Sequence, residues 1–112
     1  MVSPLVFTES IQLPSGPAVM YTSPGKVTSI VKKCTVANTD VTNGHTFTIY
    51  LVPVGGGAST ANILIYSRSI GPKQTIDVTE MVNQMLAGGD FIAAEADAPA
   101  EVNFRVSGVQ IA

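Results

Sequence analysis

The side chains that could do chemistry in this 112-residue chain are few and far apart. There is one histidine, His45, and one cysteine, Cys34. A zinc or copper site draws on several such ligands, and neither residue has a second histidine or cysteine near it in sequence. His45 follows Asn43-Gly44, where a structural or solvated role is expected. Cys34, between Lys33 and Thr35 in an apolar-alternating run, reads as a buried small hydrophobe. A lone cysteine allows no internal disulfide, so packing must supply the stability. The run Gly55-Gly56-Gly57-Ala58-Ser59-Thr60 lacks the lysine and the Gly-Lys-Ser/Thr ending that reach a nucleotide, and reads as a mobile loop. No Gly-x-Ser-x-Gly elbow is present to strain a serine into a nucleophile.

Hard cations need several oxygens, which directs attention to Asp90, Glu95, Asp97 and Glu101. Asp90 and Glu95 fall at opposite ends and parities of one strand-like run, so a solvated acidic hairpin is the expectation. Sugar-binding sandwiches present aromatic platforms. Here Phe7, Phe47, Phe91 and Phe104 sit at apolar parities, leaving Tyr21, Tyr50 and Tyr66 for that role. No catalytic, cofactor-binding or metal-ligating residue is expected, and the chain is not expected to be an enzyme.

The elements that would position these residues are short and mostly extended. Alternation of apolar and polar residues predicts strands over Leu5–Leu13, Ala18–Thr22, Lys26–Ala37, His45–Val54, Asn62–Ile70, Phe91–Ala96 and Glu101–Ile111. The turn formers at 38–44, ending in Asn43-Gly44, predict a hairpin, and Asp97-Ala98-Pro99-Ala100 predicts another. Parity slips at Ser107-Gly108, which points to a β-bulge. Between Thr75 and Gly89 the period changes. Val78, Met81, Val82, Met85 and Leu86 follow helical spacing, with Asp77 and Glu80 as a capping box, Ile76 stapled onto Met81, and Gly88-Gly89 as the stop. The fold class expected is mainly β: an antiparallel β-sandwich or jelly roll with one short helix at about residues 78–87. Residues 1–112 form one domain, with a short amino-terminal arm over Met1–Pro4, because Pro4 hinders full pairing.

Composition narrows the function. The chain is 46% hydrophobic and 12% charged, against about 25% charged in an average soluble domain. Such a surface is suited to contact with other proteins. A formal charge of −2 and six basic residues exclude the clustered cations that nucleic-acid binding needs. Lys32 and Lys33 are adjacent on a strand, where neighbours point to opposite faces, so they are expected not to form a one-sided patch. Nothing at the amino terminus resembles a signal peptide, and no apolar run reaches the 18 or so residues of a membrane helix. A cytoplasmic origin is the expectation.

Three stretches carry a resemblance. They are Thr35-Val36-Ala37-Asn38-Thr39-Asp40 running into Phe47-Thr48-Ile49-Tyr50-Leu51-Val52-Pro53; Ser67-Arg68-Ser69-Ile70-Gly71-Pro72; and Leu86-Ala87-Gly88-Gly89-Asp90-Phe91-Ile92 with the ending Val106-Ser107-Gly108-Val109. From about Lys26 onward the chain resembles the small β-sandwich virion accessory proteins of tailed bacteriophages. The resemblance implies a capsid cement or decoration protein that clamps neighbouring copies of a major capsid protein. The low charge and high apolar share predict a homo-oligomer, and the resemblance favours a trimer over a dimer and implies residence on the virion surface after synthesis in the host bacterial cytoplasm. It carries over no catalytic residues. A tail or neck component is the alternative in the same class, and a carbohydrate-binding sandwich module the alternative outside it.

Overall fold

The structure is a computed structural model describing residues 2–112. Nine strands follow one another: β1 (Val2–Gln12), β2 (Ala18–Thr22), β3 (Thr28–Asn38), β4 (His45–Val52), β5 (Ile63–Ile70), β6 (Thr75–Asp77), β7 (Met85–Leu86), β8 (Phe91–Ala96) and β9 (Val102–Ile111). One sheet has the order β1-β9-β3-β6, with β7 also paired to β3, and the other has the order β2-β8-β4-β5. Every pairing is antiparallel. Leaving aside the two-residue β7, the first strand pairs with the last, the second with the next to last, and so inward to β4 with β5. That nested pairing is a jelly roll.

The alternation in the sequence sets which side chains meet between the sheets. β9 buries Val102, Phe104 and Val106, β3 buries Val31, Cys34 and Val36, and β4 sends Phe47 and Ile49 into the same cluster. Each such side chain contributes roughly 1.5–3 kcal/mol by leaving water. β4 is dry on its other side as well. Tyr50, Val52 and Ala93 form a second cluster, capped by Ala58, Ile63 and Phe91, so the glycine-rich segment folds back over the second sheet.

The helix expected over about 78–87 is absent. A single 3₁₀ turn at Thr79–Met81 lies between β6 and β7, and Asn83 adopts a positive φ of 67°. Val78, Met81 and Leu86 are buried, but Val82 and Met85 from the same helical stripe are exposed. Long-range pairing overrides the local period. The Val78 and Asn83 amides donate to the carbonyls of Cys34 and Val31, and the Val31 amide donates to Gln84, so the segment completes the edge of β3. A helix of ten residues has little intrinsic stability to set against those bonds. The capping pair is used elsewhere, with Asp77 accepting from Thr35 and Glu80 paired with Arg68.

Neither expected hairpin forms. β3 and β4 lie in different sheets, as do β8 and β9, so 39–44 and 97–101 are crossings between the layers. They lie side by side, joined by the Thr39 amide and hydroxyl donating to the Glu101 carbonyl at 2.8 and 2.9 Å. Buried Asn38 ties the first crossing down, its side-chain amide donating to the carbonyls of Asn43, Ile70 and Gly71. The irregularity expected at Ser107-Gly108 falls on the neighbouring strands. β3 carries an extra residue between Val31 and Lys33, against Ser107-Gly108, and β1 one between Val6 and Thr8, a step along against Val106-Ser107. Gly108 is needed because a Cβ there would stand 2.1 Å from the Ile30 carbonyl and 2.8 Å from the Phe7 ring. The expected arm is not free either. Met1 lies outside the described residues, while Val2, Ser3 and Pro4 pair with Ile111, Gln110 and Val109. β1 is an edge strand, so the hydrogen Pro4 lacks has no partner to miss on the open side.

Candidate functional site

The outer face of the β1-β9-β3 sheet gathers exposed apolar side chains in rows set by the register. Across one row Met85 lies opposite Ile30, Ile30 opposite Val109, and Val109 opposite Pro4. The next row places Thr28 opposite Ile111 and Ile111 opposite Val2. Met85 is 64% and Val2 60% exposed, and Val6 and Ile111 are exposed beside them. A shallow groove of ≈ 490 Å³ runs between Pro4–Val6 and Ser107–Val109, with Lys32 at its rim. Contiguous apolar surface of this kind on a small domain makes the face a candidate contact site.

A cationic corner adjoins that surface. The bulge in β3 places both Lys32 and Lys33 on the outside, between inward-pointing Val31 and Cys34. The expectation that adjacent lysines diverge fails because a bulge breaks strict alternation. Lys33 lies opposite Ser107 and Thr35 opposite Arg105, so the four form a two-by-two block around a cleft of ≈ 300 Å³. Lys32 donates to Asn83 at 3.0 Å. Among the described residues the side chains of Lys33 and Arg105 make no ion pair or hydrogen bond. Next along β9, Asn103 Oδ1 is buried with no hydrogen-bond partner.

His45, at the start of β4, lies at the crossings end of the molecule. Its Nδ1 is 2.8 Å from Asp97 Oδ1 and its Nε2 2.9 Å from Asp40 Oδ2. Ionised carboxylates only accept hydrogen bonds, so both contacts are satisfied together in the imidazolium form, with a proton on each ring nitrogen. Asp40 is held well below the usual carboxylate range by the Thr42 amide, His45 and the Asn43 amide. His45 is raised above its ordinary value, first by Asp40 and further by Asp97, against the opposing effect of its burial. Glu101 brings a third carboxylate near, and Asp40, His45 and Glu101 offer atoms within 4.8 Å of one another. With each ring nitrogen facing a carboxylate, His45 acts as a clasp between Asp40 and Asp97. It joins the two crossings, since Asp40 belongs to one and Asp97 to the other.

The remaining chemical residues are engaged in the fold. Of the four acids considered for calcium, Asp97 and Glu101 meet near His45. Asp90 accepts from the Val54 and Ala87 amides, and Glu95 from the Tyr50 hydroxyl. Cys34 is buried, and burial, reinforced by Asp77, pushes its thiol up to about 12, which suppresses the nucleophilic thiolate. Tyr21 stacks on Phe7 at 4.3 Å and bonds Ser29 and Gln110. Tyr66 alone of the three tyrosines stands open to solvent, near Thr60 and Ile63. No helix among the described residues is long and apolar enough to cross a membrane.

No family model matches the chain, and no curated protein matches it in sequence. Among solved structures, a chain in the structure of infectious bursal disease virus Gx strain is similar at 14% identity and a TM-score of 0.41. The match covers 98% of this chain and 31% of that one.

Proposed function

We propose that the chain is a structural protein of a virion, specifically a capsid cement or decoration protein that fastens neighbouring shell subunits. The observation that carries this reading is the outer face of the β1-β9-β3 sheet, where an apolar row lies beside a cationic corner whose Lys33 and Arg105 have no ion pair or hydrogen bond among the described residues. A jelly roll is a stiff platform for such a face, and the one histidine and the one cysteine are committed to the fold. Cement needs no reaction. Many copies on a symmetric shell add modest contacts at high effective concentration, which resists pressure from within. The native unit on this reading is a homo-oligomer, with a trimer favoured.

Quantitative gel analysis of particles purified from cells carrying the gene tests the proposal. Hundreds of copies per particle are expected. A dozen or fewer would move the chain to a tail or neck, and absence from the particle would end the virion reading. Light scattering coupled to size exclusion tests the oligomer, and a clean 11.6 kDa species at tens of micromolar would overturn it.

A further inference from the structure

We propose that the cleft between Lys33 and Arg105 is a docking site for an acidic side chain of a partner protein, whose flanking apolar residues cover Val109, Ile30 and Pro4. The inference deepens the reading above by naming the chemistry of the surface that this face meets.

The geometry comes from the register. Lys33 and Arg105 are diagonal neighbours across β3 and β9, with the Thr35 and Ser107 hydroxyls completing the square on the same face. Diagonal positions on paired strands are about 7–8 Å apart at Cα, a span that long side chains close around one carboxylate. Arginine offers a planar fork that matches a carboxylate with two parallel hydrogen bonds, and lysine adds a point charge. The hydroxyls supply further donors, although Thr35 already donates to Asp77 at 3.4 Å. Apolar neighbours sharpen the effect, because a partner that covers them also removes water from the ion pair.

Charge distribution selects the occupant. The chain is formally −2, yet three of its six basic residues, Lys32, Lys33 and Arg105, stand on this one face. Asp77 is the acid in the same cross-strand row, beyond Thr35. A second copy is a poor complement because most of its carboxylates are already engaged. Asp40 and Asp97 hold His45, Glu80 holds Arg68, Glu95 holds Tyr50, and Asp90 caps two backbone amides. Nucleic acid is a poor complement as well, since three cations on two strands cannot track a phosphate backbone.

The test uses the full chain, isotope-labelled, titrated with poly-L-glutamate and followed by amide chemical shifts. Saturable shifts are expected at Lys33, Thr35, Arg105 and Ser107, with affinity falling as salt rises. The double variant Lys33→Gln/Arg105→Gln is expected to keep the wild-type melting temperature and to bind roughly tenfold or more weakly, a change of about 1.4 kcal/mol. Three results would each overturn the proposal: shifts spread evenly over Lys26, Arg68 and Lys73; equal binding by the double variant; or tighter binding of duplex DNA than of polyglutamate. A change of oligomeric state in the double variant would reassign the face to self-association. Failure here leaves the copy number of the wild-type chain in particles untouched, so the two readings fail separately.

Discussion

At the scale of single residues, the sharpest consequence lies at His45. Its folded pKa is raised above the ordinary 6.5, so the stability it contributes is complete below about pH 6.5 and is lost as pH climbs through the raised value. Asp40 runs the other way. Depressed from 3.8, it contributes above that pH and loses the contribution as the solution becomes strongly acidic. The melting temperature should therefore fall on the alkaline side in wild type, and His45→Gln should flatten that limb while shrinking the acid limb only in part, since the Thr42 and Asn43 amides still hold Asp40. Differential scanning fluorimetry from pH 5 to 9 checks it, and parallel alkaline limbs in the two proteins would remove the clasp. Of the two residues the sequence singles out, His45 and Cys34, only one has surroundings that can be read locally. The burial of Cys34 could be read from alternation around it, because that is a local property. The partners of His45 could not, since Asp97 stands 52 positions away and reaches the ring only when the two crossings are laid side by side.

Among the elements, strands were legible wherever one face is dry and the other wet. β2 and β8 match the expected bounds, and β4 and β5 differ only by a residue or two. Two kinds of element misled. Turn formers at 38–44 and 97–100 mark a reversal, but local chemistry is the same whether the chain returns in its own sheet or crosses to the other. The segment 78–87 carries an apolar period that fits a helix, yet the hydrogen bonds it makes to β3 are invisible in its own residues. A discriminating pair of substitutions follows. In a helix Met81 and Met85 would share a buried face, whereas here Met81 is buried and Met85 faces out. Met81→Ala should cost about 2–5 kcal/mol and Met85→Ser at most about 0.5 kcal/mol. Urea unfolding measures both, and equal losses would restore the helix.

For the whole molecule, the division of surfaces matters more than any one contact. Interior packing, the clasp at the crossings end and the open face of the β1-β9-β3 sheet are separate regions, so changes in one should leave the others intact. Val109→Glu, set in the middle of the apolar row, should keep the wild-type melting temperature within the range typical of surface changes, about 0.5 kcal/mol, while abolishing incorporation into particles. Incorporation at wild-type levels would exclude that face from assembly. The nested pairing also governs how the protein is made. Val2 meets Ile111, and β9 is the strand that joins β1 to β3, so of the nine strands the first to be made has no seat until the last arrives. Until then β1 waits with Phe7 uncovered. Closure of so distant a pair is entropically slow, which places refolding in the millisecond-to-second range of non-local β topologies. A chain ending before Val102 would lack β9 and leave β1 and β3 unjoined, and that species is the one a chaperone should recognise.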